Sequence, residues 1–164
     1  MQLPAIIDLE ASGFGRGSYP IEVGFVSADG SLFCSLIQPD PSWSHWDASA
    51  EALHGISREL LFRHGRPLDW VAQQMNQRLA GQTVYSDAWG HDYSWISRLF
   101  DCAELVPAFR LQDLRTLLSE AEAGVWDQTL RQVRQEQQLQ RHRASSDARV
   151  LQLTLLRIKQ LVLH

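Results

Sequence analysis

The chain changes hydrophobic period after Ser49, and that switch restricts its fold more than any other feature. Ala5 to Leu9 is a short apolar run with β-branched Ile6 and Ile7, followed by Gly13 and Gly15, the pattern of a buried strand that ends in a loop. Ile21 to Ser27 carries Val23, Phe25 and Val26, and Asp29-Gly30 then supplies a two-residue hairpin signal before Leu32 to Ile37. An antiparallel hairpin of the second and third strands is therefore expected. Beyond Ser49 the apolar residues recur at three and four, in Ala50 to Ile56, Leu68 to Leu79 and Ser94 to Phe100, with Thr83 to Ser86 between them as a short strand. A last strand is expected near Phe109 to Leu111, ahead of helical patterns at Leu114 to Ala121, Trp126 to Leu139 and Ser146 to Val162. Strands that first pair locally and then alternate with helices specify an α/β fold with a mixed five-stranded sheet flanked by helices.

No internal repeat divides the 164 residues, so residues 1–164 are read as a single domain. The segment from Pro39 to Ser49, with two prolines, three serines, Trp43 and Trp46, suits an ordered surface loop and is a candidate interface or substrate clamp. Fifteen Lys and Arg against nineteen Asp and Glu leave a formal charge of −4, which excludes a bulk basic coat for long nucleic acid and makes any such contact local. Cys34 and Cys102 lie far apart without a C-x-x-C pair and are expected to be buried, reduced thiols. The amino terminus lacks a basic region followed by an apolar run, and no segment has transmembrane length, so a cytoplasmic protein with no membrane partner is expected.

The residues that carry chemistry are acids. Asp8 and Glu10 are two apart on the first strand, so both carboxylates emerge on one sheet face near its carboxyl end. They are either solvated acids at a strand end or two anions that share a cation. Asp92 precedes Trp95, Ile96 and Leu99 at i+3, i+4 and i+7 and points along the stripe that packs on the core, which favours it over Asp87 as a third ligand. Asp147 follows Ser145-Ser146 at the start of the last helix, whose Val150, Leu151, Leu153, Leu156 and Ile158 form a broad apolar surface. Both Asp92 and Asp147 have a plain alternative as first-turn acids that interact with the helix dipole. His142 lies five residues before Asp147, and from a loop preceding the helix it faces the same cleft, where a neutral imidazole can accept a proton from water. Four carboxylates and one histidine are the inventory of a two-metal phosphodiesterase, and all-oxygen ligands suit two ions of Mg²⁺ or Mn²⁺. Zinc is disfavoured because His45, His54, His64 and His91 show no familiar ligand spacing.

Asp8-Leu9-Glu10-Ala11-Ser12-Gly13, Asp92 with Trp95-Ile96, and His142-Arg143-Ala144-Ser145-Ser146-Asp147 resemble the three exonuclease motifs of the DEDDh family, in order and across nearly the whole chain. That family includes polymerase proofreading exonucleases, ribonuclease T and oligoribonuclease, and the resemblance implies a ribonuclease H-like fold. Ala50 to Ser57, with His54-Gly55-Ile56, resembles the family's helix that lines the pocket for the terminal nucleotide. A histidine five residues before the last aspartate distinguishes this branch from relatives with a tyrosine four before it. Two departures stand out. Ser12 replaces the usual threonine, and Ala88-Trp89-Gly90-His91 lacks the asparagine and phenylalanine common before the second-motif aspartate.

The resemblance implies a metal-dependent 3′–5′ exonuclease that releases nucleoside 5′-monophosphates from single-stranded ends. Asp8 would bridge two ions, Glu10 and Asp147 would help hold one, Asp92 would hold the other through water, and His142 would be the general base. Phe14 is a candidate stacking surface for the last base, with Leu53 on its other side and His54 beside it, although both apolar residues also suit a loop anchor or core. Arg131, Arg134, Arg141, Arg143 and Arg149 make the neighbourhood of His142 locally basic, and Arg143 is the candidate phosphate contact. Nothing reads the 2′-hydroxyl, so RNA and DNA 3′ ends remain equal candidates, and a homodimer is a fair expectation. The rival readings are a non-catalytic binding or assembly module on the same fold, suggested by the weak second motif and six tryptophans, and an endonuclease sharing the carboxylate chemistry.

Overall fold

A computed structural model describes residues 2–138 and 143–162. The sheet has the order β3-β2-β1-β4-β5, formed by β1 (Ala5–Ala11), β2 (Pro20–Val26), β3 (Leu32–Leu36), β4 (Thr83–Ser86) and β5 (Arg110–Asp113). The first three strands are antiparallel neighbours, and β4 and β5 add in parallel beside β1. This is the mixed five-stranded sheet flanked by helices that the change of period implies.

Alternation along β1 separates two cores. Ile7 and Leu9 face a layer made by α3 (Leu68–Leu79) and α4 (Trp89–Ala103), where Val71, Met75, Leu79, Trp95, Leu99 and Phe100 are buried. Ile6 points the other way, onto Ala148, Leu151 and Leu155 of α6 (Ala144–Val162), with α5 (Glu120–Gln137) packed alongside. The period of two then carries Asp8 and Glu10 to the α6 side, where the apolar contacts give way to acids. A third cluster, with Tyr19, Ile21, Trp43, Ile56 and Leu61, fastens the loop that leads into α1 (Ala48–His54) and α2 (Arg58–His64).

Several local expectations are corrected. The β2–β3 connection pairs Ser27 with Ser31 and leaves Ala28, Asp29 and Gly30 as a three-residue turn, because Gly30 takes φ +85° and the Asp29 carboxylate accepts from the Ser31 amide. The helix expected at 50–56 starts at Ala48 on an Asp47 cap and ends at Gly55, whose φ of 70° is left-handed. Arg58–His64 is a further helix, capped by Ser57. Helix α4 begins at Trp89, ahead of the expected Ser94, and Asp92 lies in its first turn. The helix expected at 114–121 is a short 3-10 turn, Leu114–Leu117, after which Ser119 and Glu122 form a capping box that starts α5. The thiols are not buried as expected: Cys34 is exposed on an edge strand and Cys102 half-buried. Among the described residues no helix is long and apolar enough to cross a membrane.

Candidate active site

β1 and β4 pair only at Ala5 with Val84 and Ile6 with Tyr85, so the strands part beyond Ile6 and a crevice opens at their carboxyl ends. Asp8 and Glu10 stand on β1 at this opening, and the register of β2 shifts immediately after Glu10, the kind of irregularity that re-aims a neighbouring side chain. Asp147, in the first turn of α6, completes the group: ligand oxygens of Asp8, Glu10 and Asp147 lie within 4.8 Å of one another, and all three residues are half-buried.

Asp92 approaches from α4. Its side chain is buried, one oxygen accepts the Ser86 hydroxyl at 2.5 Å, and the other, Oδ1, has no hydrogen-bond partner among the described residues. A buried carboxylate oxygen without a donor is costly unless a proton or a cation meets it. The electrostatics agree. Burial, and then the charges of Asp92, Asp87, Asp147 and Glu10, hold the Asp8 carboxyl well above the usual carboxylate range. Burial is also the main cause for Glu10, pushed up to about 8 with Asp147, Glu22 and Asp92 adding to it and Arg143 opposing. Asp92 is pushed up to about 7 by burial and by Asp87, against the Ser86 hydrogen bond. Acids that repel one another in a half-dry crevice favour protons or a cation, and an all-carboxylate donor set fits a hard divalent ion.

Beside the acids is a cavity of about 270 Å³ lined by Asp8, Glu10, Phe14, Leu53, His54, His91, Asp92 and Trp95, among others. Phe14 and Leu53 are 64% and 62% exposed, so neither is core, and both border this cavity. The Phe14 ring meets His91 edge-on at 5.0 Å, and His91 stacks on Trp95 at 5.6 Å, so the position that departs from the second motif supplies part of an aromatic wall. His54 is buried at the end of α1, with Nδ1 accepting the Ile56 amide at 3.0 Å and the ring edge-on to Trp46. That acceptor role leaves Nε2 as the hydrogen-bearing nitrogen of the neutral ring.

His142, the expected base, lies outside the described residues, as does Arg141. Arg143, expected against substrate, is engaged with Glu22 at 2.6 Å, and Arg149 donates to Gln152. In the Pro39–Ser49 segment Trp43 is buried and stacked on Tyr19 at 5.3 Å, and Trp46 donates to Glu51, so both tryptophans anchor the loop to its own chain.

Sequence reasoning missed two residues that shape this site, Glu22 and Ser86, and gave no bonding role to Ser12. Glu22 is fully buried opposite Glu10. Ser86 holds Asp92, and Ser12 hydrogen-bonds His45 Nδ1 at 2.9 Å to tie the loop bearing Phe14 to the segment before α1. The signal for Glu22 was present, since a lone acid within the apolar run Ile21–Ser27 must be buried and paired. Ser86 carries no signal without coordinates, and for Ser12 the motif marks the position but not its bond to His45.

The fold and the crevice define the class: this is the ribonuclease H-like α/β fold found in exonucleases. Within that class the chain is similar to Escherichia coli exonuclease I in complex with a dA16 oligonucleotide, at 11% identity and a TM-score of 0.69, over 99% of this chain and 43% of that one. It is likewise similar to exonuclease I from Methylocaldum szegediense, at 12% identity and a TM-score of 0.70, over 98% of this chain and 41% of that one. A zinc-bound complex of the E. coli enzyme with single-stranded DNA aligns at 13% identity and a TM-score of 0.67, over 98% of this chain and 42% of that one. The chain thus spans less than half the length of these exonucleases. No family model matches it, and no curated protein sequence matches it significantly.

Proposed function

We propose that the protein is a metal-dependent 3′–5′ exonuclease of the DEDDh type, formed as one domain over residues 1–164, that hydrolyses single-stranded nucleic acid to nucleoside 5′-monophosphates. The observation that carries this reading is the convergence of Asp8, Glu10 and Asp147 within 4.8 Å, next to a buried Asp92 oxygen that lacks a donor. The likeness in fold to exonucleases whose structures hold single-stranded oligonucleotides supports it.

Asp8, Glu10 and Asp147 would hold Mg²⁺ or Mn²⁺, and Asp92, from α4, would help hold a second ion. Bound there, the ions supply positive charge to the scissile phosphate and its leaving oxygen. The chain's own groups do the rest. Phe14 and Leu53, exposed on the rim of the cavity, clasp the terminal base, with His54 lining the same cavity. His142 accepts the proton of the attacking water as its oxygen bonds to phosphorus and the bond to the 3′ oxygen breaks. His142→Ala is expected to lower turnover by about 10²- to 10⁴-fold with the fold intact.

Linear and circular single strands, each as RNA and DNA, test the reading in Mg²⁺, in Mn²⁺ and in chelator. Mononucleotide release from linear strands alone is expected. Cutting of circles at the same rate would replace it with an endonuclease, and intact strands with no uptake of divalent ions would replace it with a binding module.

A further inference from the structure

Glu22 is the most deeply buried charge outside the acid cluster, and the proposed reaction does not use it. It sits directly across from Glu10 in the β1–β2 ladder, just as Gly24 sits across from Asp8. Partners in a ladder project on the same side of the sheet, so the two metal-facing positions of β1 lie beside two positions of β2 that face α6. Both of those positions touch the start of α6. A Cβ on Gly24 would lie 2.1 Å from the Ser145 amide nitrogen, so the helix start rests on bare strand backbone there. At Glu22, Oε1 accepts the Ala144 amide at 2.7 Å, while Oε2 accepts Arg143 Nε at 3.0 Å and Nη2 at 2.6 Å. The Arg143 carbonyl in turn accepts the Asp147 amide at 2.9 Å, the first hydrogen bond of the helix turn that carries the third ligand.

We propose that Glu22 and Arg143 are positioning residues: their ion pair seats the first turn of α6 on β2 and so fixes Asp147 beside Asp8 and Glu10. The proposal extends the exonuclease reading by giving Arg143 a place in the assembly of the acid cluster instead of a contact with phosphate. A carboxylate accepting the terminal amide of a helix and a two-point arginine fork leaves the turn little freedom to rotate. The bulk of a methylene is also excluded at Gly24, so the approach is fixed from both β2 positions.

Field and position make opposite predictions for one variant. If Arg143 acted only through its charge, Arg143→Met would remove a cation near the acids and tighten divalent-ion binding. Positioning predicts the reverse, because Asp147 loses its seat. The full chain, stripped of metal and titrated with Mn²⁺ while free Mn²⁺ is followed by electron paramagnetic resonance, reads this directly. Arg143→Met and Glu22→Gln are each expected to weaken Mn²⁺ binding by about tenfold or more, in line with the cost of losing groups that orient metal ligands. The double variant should bind no more weakly than the worse single, since both act through one contact. Arg143→Lys, which keeps the charge and loses the fork, should fall between wild type and Arg143→Met.

Amide hydrogen exchange at Ala144 and Asp147, measured in chelator, provides a readout without metal, and faster exchange is expected in Arg143→Met. Unchanged exchange there, or Mn²⁺ bound as tightly as in wild type or more so, would overturn the proposal. A wild-type protein that takes up no Mn²⁺ would overturn the exonuclease reading instead, and the exchange at α6 would then decide the positioning role alone.

Discussion

Asp8 is the residue on which every other acid of the crevice acts, and the sign of that action gives the site a measurable signature. Glu10 rises from an ordinary 4.5 to about 8 and Asp92 from 3.8 to about 7, both chiefly through burial. A carboxyl whose folded value exceeds its unfolded one binds its proton more tightly when folded. Its stabilising contribution is complete below the unfolded value and is lost as pH rises through the folded one. Metal-free protein is therefore expected to lose thermal stability between about pH 4.5 and pH 8. Mn²⁺ should restore it, more strongly at higher pH because the ligands must be deprotonated, and Asp8→Asn should flatten both effects. Melting curves across that range, with and without Mn²⁺, test this; a metal-free melting temperature that climbs toward pH 8 would contradict it. Ser86 makes a second prediction at this scale. Its hydroxyl is the hydrogen-bond donor to the buried Asp92, so Ser86→Ala should cost about 1–3 kcal/mol of stability in urea denaturation at pH 8.

Elements matter here for where they end. β1 and β4 separate after Ile6, and α6 begins on the bare backbone of Gly24, so the crevice arises from the end of one pairing and the start of one helix. Gly24→Ala is expected to push the helix start away, at about 1–3 kcal/mol for the overpacking, with a larger proportional loss of Mn²⁺ affinity than of stability. Calorimetry on the variant reads both, and unaltered affinity would detach α6 from the site. The sequence made the elements legible where apolar runs or helical periods are clear: β1, β2, Leu68–Leu79 and α6 all lie within a few residues of their expected places. It failed where a single local bond decides the boundary. The left-handed Gly55, the Ser57 cap that opens α2 and the Ser119–Glu122 capping box each set an end that hydrophobic spacing does not record. In the candidate site, Asp8, Glu10 and Asp147 could be expected to converge because acids stand out against apolar runs, and their ligand oxygens do lie within 4.8 Å of one another. The pairing of Arg143 with Glu22 could not be read because the partner is far away in sequence, on β2.

The molecule as a whole carries a formal charge of −4, and several arginines already have partners: Arg143 on Glu22, Arg149 on Gln152 and Arg157 on Glu136. If the chain binds a single strand as proposed, its hold is expected to rest on a few phosphates and on stacking at Phe14. Affinity of Asp8→Asn for short single strands is expected to fall with salt at the shallow slope of about two to three phosphate contacts, roughly −0.7 for each. Fluorescence anisotropy between low and moderate salt measures it, and a steep slope would reveal a basic track elsewhere on the surface. The central claim is that the clustered acids hold the ions that remove nucleotides from a chain end. It is tested most directly by following 3′-end-labelled single strands with wild type and Asp8→Asn side by side in Mn²⁺. The account predicts release of the labelled terminal mononucleotide in the first cleavage by wild type, abolished by chelator and lost in the variant. Release that persists in Asp8→Asn, or wild-type protein that leaves every strand intact while binding Mn²⁺, would contradict it.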